Sequence, residues 1–171
     1  ITVAADAGPI EILDGFASTG IQLVASQDIL VLGLLQSADG VISLDSTSGA
    51  VRVTADGSRI HSVQGTINIQ ALAGPVLVQE LFADAGITIY GEGDVTLNAI
   101  IDSTSGDIQI GSGGNINNGA RVVAGGSIRL ESGLTTQSLG GGIVTLEVLS
   151  RGTNYTYANV TIAPPSSGAG Q

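Results

Sequence analysis

Within 171 residues the chain sets fifteen acidic residues against five basic ones, all Arg, for a formal net charge of −10. That balance excludes the basic face a nucleic-acid backbone demands and disfavours docking on anionic lipid. With no Cys, disulfides and thiolate metal sites drop out, and an aromatic share of 3% leaves any core to Ile, Val, Leu and Ala.

No apolar run approaches the roughly 18 residues of a membrane span; the longest, Ile29 to Leu35, is interrupted by Gly33. The chain opens at Ile1 with neither Met nor a signal peptide, as a processed product or a piece of something longer would.

Apolar residues spaced i, i+2 recur along the chain in three interleaved series. The first runs Ile1/Val3, Ile21/Leu23, Ile42/Leu44, Ile67/Ile69, Ile87/Ile89, Ile108/Ile110 and Ile128/Leu130, with steps of 20, 21, 25, 20, 21 and 20 residues. The second runs Ile10/Ile12, Ile29/Val31, Val51/Val53, Val76/Val78, Val95/Leu97 and Ile116. A looser third runs Phe16, Leu34/Leu35, Ile60/Val63, Leu81/Phe82, Ile100/Ile101 and Val122/Val123. Gly, Ser, Asn and Asp fill the intervals, as turns require.

Alternation puts each doublet on one face and its middle residue on the other. Those middle residues, among them Thr2, Glu11, Gln22, Ser43, Arg52, Asn68, Thr88, Thr96, Gln109 and Arg129, are nearly all polar. No segment sustains helical i, i+3, i+4 spacing, and Gly interrupts each candidate.

Three short strands and three turns consume about 20 residues, one circuit of a parallel β-helix that pairs like strand with like strand. The predicted fold is therefore all-β: a parallel β-helix of about seven coils, each with three short strands, over residues 1–140. The rival is a β-sandwich with hairpins at Asp39-Gly40, Asp56-Gly57 and Asn118-Gly119, but it gives no reason for a 20-residue recurrence. One coil alone cannot offset the entropy of ordering its residues, so stability must come from stacking.

Two departures stand out. The step from Ile42 to Ile67 is about five residues too long and predicts a bulged corner near Thr54 to His61. Asp-Ser-Thr-Ser-Gly occurs at Asp45–Gly49 and at Asp102–Gly106, after strands of different series, which reads as turn chemistry. Past Gly133 the rhythm breaks, and a short separate β element is expected over 141–171.

DVTLNAIIDSTSGDIQIGSGG (Asp94–Gly114) and GGSIRLESG (Gly125–Gly133) resemble the repeats of filamentous haemagglutinins and related bacterial surface proteins. The resemblance covers about residues 1–135. It implies a right-handed coil, extracellular or cell-surface display, and an adhesive or scaffolding role without catalytic residues to carry over. The tail, Gly152-Thr-Asn-Tyr-Thr-Tyr-Ala-Asn-Val-Thr-Ile-Ala-Pro164, is similar to a Gly-x-x-Tyr-Thr…Val-Thr-Ile…Pro module of phage and bacterial surface structural proteins, although Asn159 stands where Pro is commoner. That module often continues further, so a truncated end is expected, and a phage tail-fibre or tailspike component becomes the alternative.

Candidate chemistry is sparse. His61, the sole His, stands beside Asp56, Ser58 and Arg59 but shows no base–nucleophile arrangement. Glu11, Asp14, Asp28, Glu80, Asp84, Glu92 and Asp94 are the carboxylates a polysaccharide-cleaving enzyme of this fold would draw on, with Tyr90 near Glu92 and Asp94. Turn Asp, Ser and carbonyl oxygens could hold Ca2+, yet the Gly-Gly-x-Gly-x-Asp signature of calcium-binding repeats is absent. Asn154 and Asn159 open formal glycosylation triplets that read as strand-edge residues. No catalytic, cofactor or metal residue is therefore assigned.

Neither end carries a helical or charged cap, and an open parallel edge is a template for more strands. Unlike ends meeting head to tail would build an open filament, so self-association is the expected partnership, with a host or matrix polysaccharide the other expected partner.

Overall fold

A computed structural model describes residues 1–54 and 57–133. Within them the chain forms strands β1 Thr2–Ala5, β2 Ile10–Ile12, β3 Gly15–Ala17, β4 Ile21–Ala25, β5 Ile29–Val31, β6 Leu34–Ser37, β7 Ile42–Ser46, β8 Val51–Val53 and β9 Arg59–Ser62. They continue as β10 Thr66–Ala71, β11 Val76–Ala83, β12 Gly86–Gly91, β13 Val95–Ser103, β14 Asp107–Ser112, β15 Ile116–Asn118, β16 Arg121–Ala124 and β17 Ile128–Ser132. The described residues contain no helix.

Every strand pairing is parallel, and each joins a strand to its counterpart about 20 residues on. The fold is a parallel β-solenoid. Its first sheet orders β1-β4-β7-β10-β12-β14-β17, the seven first-series strands. All seven first-series strands expected are present, and the six intervals between them make a described stack of about six turns.

The second and third series do not stay apart. In the fourth and fifth coils they fuse into the long strands β11 and β13, which join both series into one ten-stranded sheet. Register shifts between Val78 and Glu80, where β13 carries an extra residue. This bulge lets one strand serve two faces. The expected three separate strands per coil hold only where a turn residue such as Gly33 divides them.

The interior is a set of aliphatic columns. Ile21, Ile42, Ile67, Ile87 and Ile108 stack in register, as do Leu23, Leu44, Ile69, Ile89 and Ile110, and all are buried. β-branched side chains suit such columns because their stiff rotamers pack on a pleated surface.

Both Asp-Ser-Thr-Ser-Gly segments turn the chain at different corners, and each sends its first Ser inward, Ser46 from β7 and Ser103 from β13. The Ser46 hydroxyl donates to the Gln27 carbonyl one coil back at 2.7 Å; Ser62 does the same to Gly40 at 2.8 Å and Ser112 to Gly93 at 2.9 Å.

The third series departs from the expected inward set. Phe16 points outward and is 63% exposed, while Gly15 takes the inward position beneath the Leu35 side chain. Leu34, Phe82 and Ile100 also face out, because adjacent apolar residues on a strand cannot share a face. The oversized corner is narrower than expected: the insertion lies between Val53 and Arg59, and Arg59 to His61 belong to β9. Its Ala55 and Asp56 lie outside the described residues, as do the element expected over 141–171 and the triplets at Asn154 and Asn159.

Candidate functional site

The acidic residues that suggested sugar or calcium chemistry resolve first. Asp14 Oδ1 accepts the Leu34 N–H at 2.8 Å, and Asp28 Oδ1 accepts the Ala50 N–H at 2.8 Å. Asp94 Oδ1 accepts the Asn115 N–H at 2.8 Å, and Asp107 Oδ1 accepts the Ser127 N–H at 2.7 Å. All four bonds tie a corner to the next coil. Each donor follows a glycine (Gly33, Gly49, Gly114, Gly126), at which any Cβ would collide with the same carboxylate oxygen. An Asp just before a strand or at its first residue, paired with a Gly 19 to 21 residues later, is thus a recurring coil-to-coil staple. The Asp-to-Gly spacing is the signal in the sequence that marks these staples.

Charge-assisted bonds to backbone N–H groups favour the ionised carboxylate. The Ala50 amide, opposed by some desolvation and helped by Arg52, holds Asp28 below the ordinary carboxylate value of 3.8; the Ser127 amide does the same to Asp107. Folded-state pKa values below the unfolded ones give stability that is full above pH 3.8 and lost as pH falls through the lower folded values. Thermal unfolding followed by circular dichroism should show Tm falling on that acid limb, less steeply for Asp107→Ala than for the parent.

The other candidates separate. Asp28 also pairs with Arg52 at 2.6 Å on an exposed surface. Asp84 accepts the Ser105 hydroxyl through its carbonyl at 2.8 Å and through Oδ1 at 3.3 Å. Glu11 is exposed on β2. Among the described residues no three His, Asp or Glu side chains converge as a metal site would need.

His61 lies on β9 with its ring edge-on to Phe82, centroids 6.1 Å apart. The Arg59 guanidinium sits 5.7 Å from the Phe82 centroid and 3.7 Å from Glu80 Oε2. Adjacent coils thus build a small surface cluster in which Phe82 is the platform. His61 there packs on an aromatic edge rather than on a nucleophile.

The outer face of the first sheet carries two rows. One reads Thr2, Gln22, Ser43, Asn68, Thr88, Gln109, Arg129; the other reads Ala4, Val24, Asp45, Gln70, Tyr90, Gly111, Glu131. Gly111 interrupts the second row between Tyr90 and Glu131. The gap is a notch of about 180 Å³, bounded by Thr88, Tyr90, Gln109, Gly111, Arg129 and Glu131.

The Tyr90 hydroxyl donates to Glu92 Oε2 at 2.6 Å, which raises the phenol's pKa and fixes the ring. Arg129 Nε donates to Glu131 Oε1 at 2.9 Å, and its Nη2 binds the same oxygen. Glu92 and Asp94, nominated together with Tyr90, are therefore split: Glu92 anchors the tyrosine and Asp94 staples the coil.

No family model, curated protein or solved structure matches this chain.

Proposed function

We propose that the chain is a structural segment of an extracellular or cell-surface fibre: a stiff, acidic β-solenoid stalk that extends by stacking more coils and displays its outer faces. The register carries this reading. Each strand meets its own series one coil on, so a further coil added in the same register needs no new kind of contact. A net charge of −10 keeps such rods apart side by side while leaving end-on stacking open. The resemblance of Asp94–Gly133 to filamentous-haemagglutinin repeats points the same way.

Sedimentation and negative-stain imaging over a concentration series test the reading. End-to-end rods of constant width, lengthening with concentration, are expected. A monomer unchanged at high concentration counts against self-association, and a discrete trimer favours the tailspike alternative.

A further inference from the structure

We propose that the notch over Gly111 binds an uncharged hexopyranose unit of a glycan chain. The site goes beyond the stalk reading and does not depend on it.

The argument starts from a missing side chain. Six positions in the outward row that holds Gly111 carry side chains, and the one without falls between an aromatic ring and the Arg129–Glu131 ion pair. Absence of a Cβ lets a ligand approach the sheet backbone itself.

One wall is the Tyr90 ring, half-buried and held by its bond to Glu92, so stacking on it costs little side-chain entropy. The other wall is the Arg129–Glu131 pair, which sets donors and an acceptor side by side. Gln109 and Thr88 add amide and hydroxyl groups along the same edge.

A pyranose ring presents this pattern in reverse. It offers an apolar C–H face to the ring and a rim of hydroxyls that both donate and accept. Its charge state follows from the surroundings. Glu92 and Glu131 flank the site on a chain of net charge −10, and Arg129 is already paired, so a uronate would be repelled. A volume of about 180 Å³ suits one ring rather than an extended oligomer, with the rest of the glycan lying along the open polar row.

The test is NMR titration of the full chain with cellohexaose, laminarihexaose, mannohexaose and hexagalacturonate. Expected are saturable shifts at Tyr90, Gln109 and Gly111 with at least one neutral probe and weaker ones with the uronate. Tyr90→Ala should weaken binding roughly tenfold. Gly111→Leu, which puts a side chain into the notch from an outward, half-buried position, should abolish it, with circular dichroism checking that the fold is kept. Tyr90→Phe, which keeps the ring if either variant misfolds, should retain most of the affinity. No shifts with any neutral probe, stronger binding of the uronate, or affinity indifferent to Gly111→Leu would overturn the proposal.

Discussion

Gly106→Ala is expected to destabilise the fold by roughly 2–4 kcal/mol, far more than its single methyl suggests. Gly106 turns the chain after β13, and a Cβ there would run into the Ala85 carbonyl and the Gly86 nitrogen of the coil beneath. These are backbone atoms of a hydrogen-bonded corner, where the Ser105 N–H donates to the Asp84 carbonyl at 2.8 Å. Neither layer can give without opening the ladder. Gly65 over the Gly40 carbonyl and Gly74 over the Gly49 carbonyl repeat the arrangement, so the effect should recur at both. Gly8→Ala is the control: nothing lies within 4 Å of its Cβ position, and its change should stay within about 0.5 kcal/mol. Urea unfolding of the variants measures the difference.

The second large effect concerns position along the stack. Ile69→Ala, in the fourth of seven first-sheet strands, should cost about 2–5 kcal/mol because coils on both sides hold the cavity open. Leu130→Ala belongs to the same column but is 47% exposed, and should cost less than about 1 kcal/mol. Against a typical total of about 5–15 kcal/mol, the central change alone can halve stability. A solenoid predicts this gradient, because each coil touches only its neighbours. Equal losses at both positions in urea titrations would point instead to a core shared by the whole chain.

The first two series were legible because their apolar residues alternate cleanly and their polar partners, such as Gln22, Asn68 and Gln109, reach solvent. The third was blurred by apolar neighbours such as Leu81-Phe82, of which only Leu81 points inward. Phe16 looked like core on composition alone, while the true inward residue, Gly15, has no side chain to signal its place. Fusion of two series into β11 and β13 left no trace either, since a one-residue bulge changes spacing no more than a turn does.

The acidic residues misled most. A carboxylate beside a turn reads alike as ligand, nucleophile or solvated group, and only its partner one coil away shows Asp14, Asp28 and Asp94 to be staples. The notch was half visible: Tyr90 and Glu92 were singled out together, but Arg129 and Glu131 come from β17, two coils further on.

The stack itself is open to direct measurement, because a chain without Cys accepts spin labels only where Cys is introduced. Gln22 and Gln109 lie four register steps apart on one outer row, Thr2 and Gln109 five, and Thr2 and Arg129 six. At a strand spacing near 4.8 Å their backbone separations should be about 19, 24 and 29 Å. Pulsed electron–electron distance measurements on the three doubly labelled variants should show that even increment, one strand spacing per coil. A Thr2–Arg129 distance no longer than Gln22–Gln109, as antiparallel hairpins would produce, would contradict the solenoid.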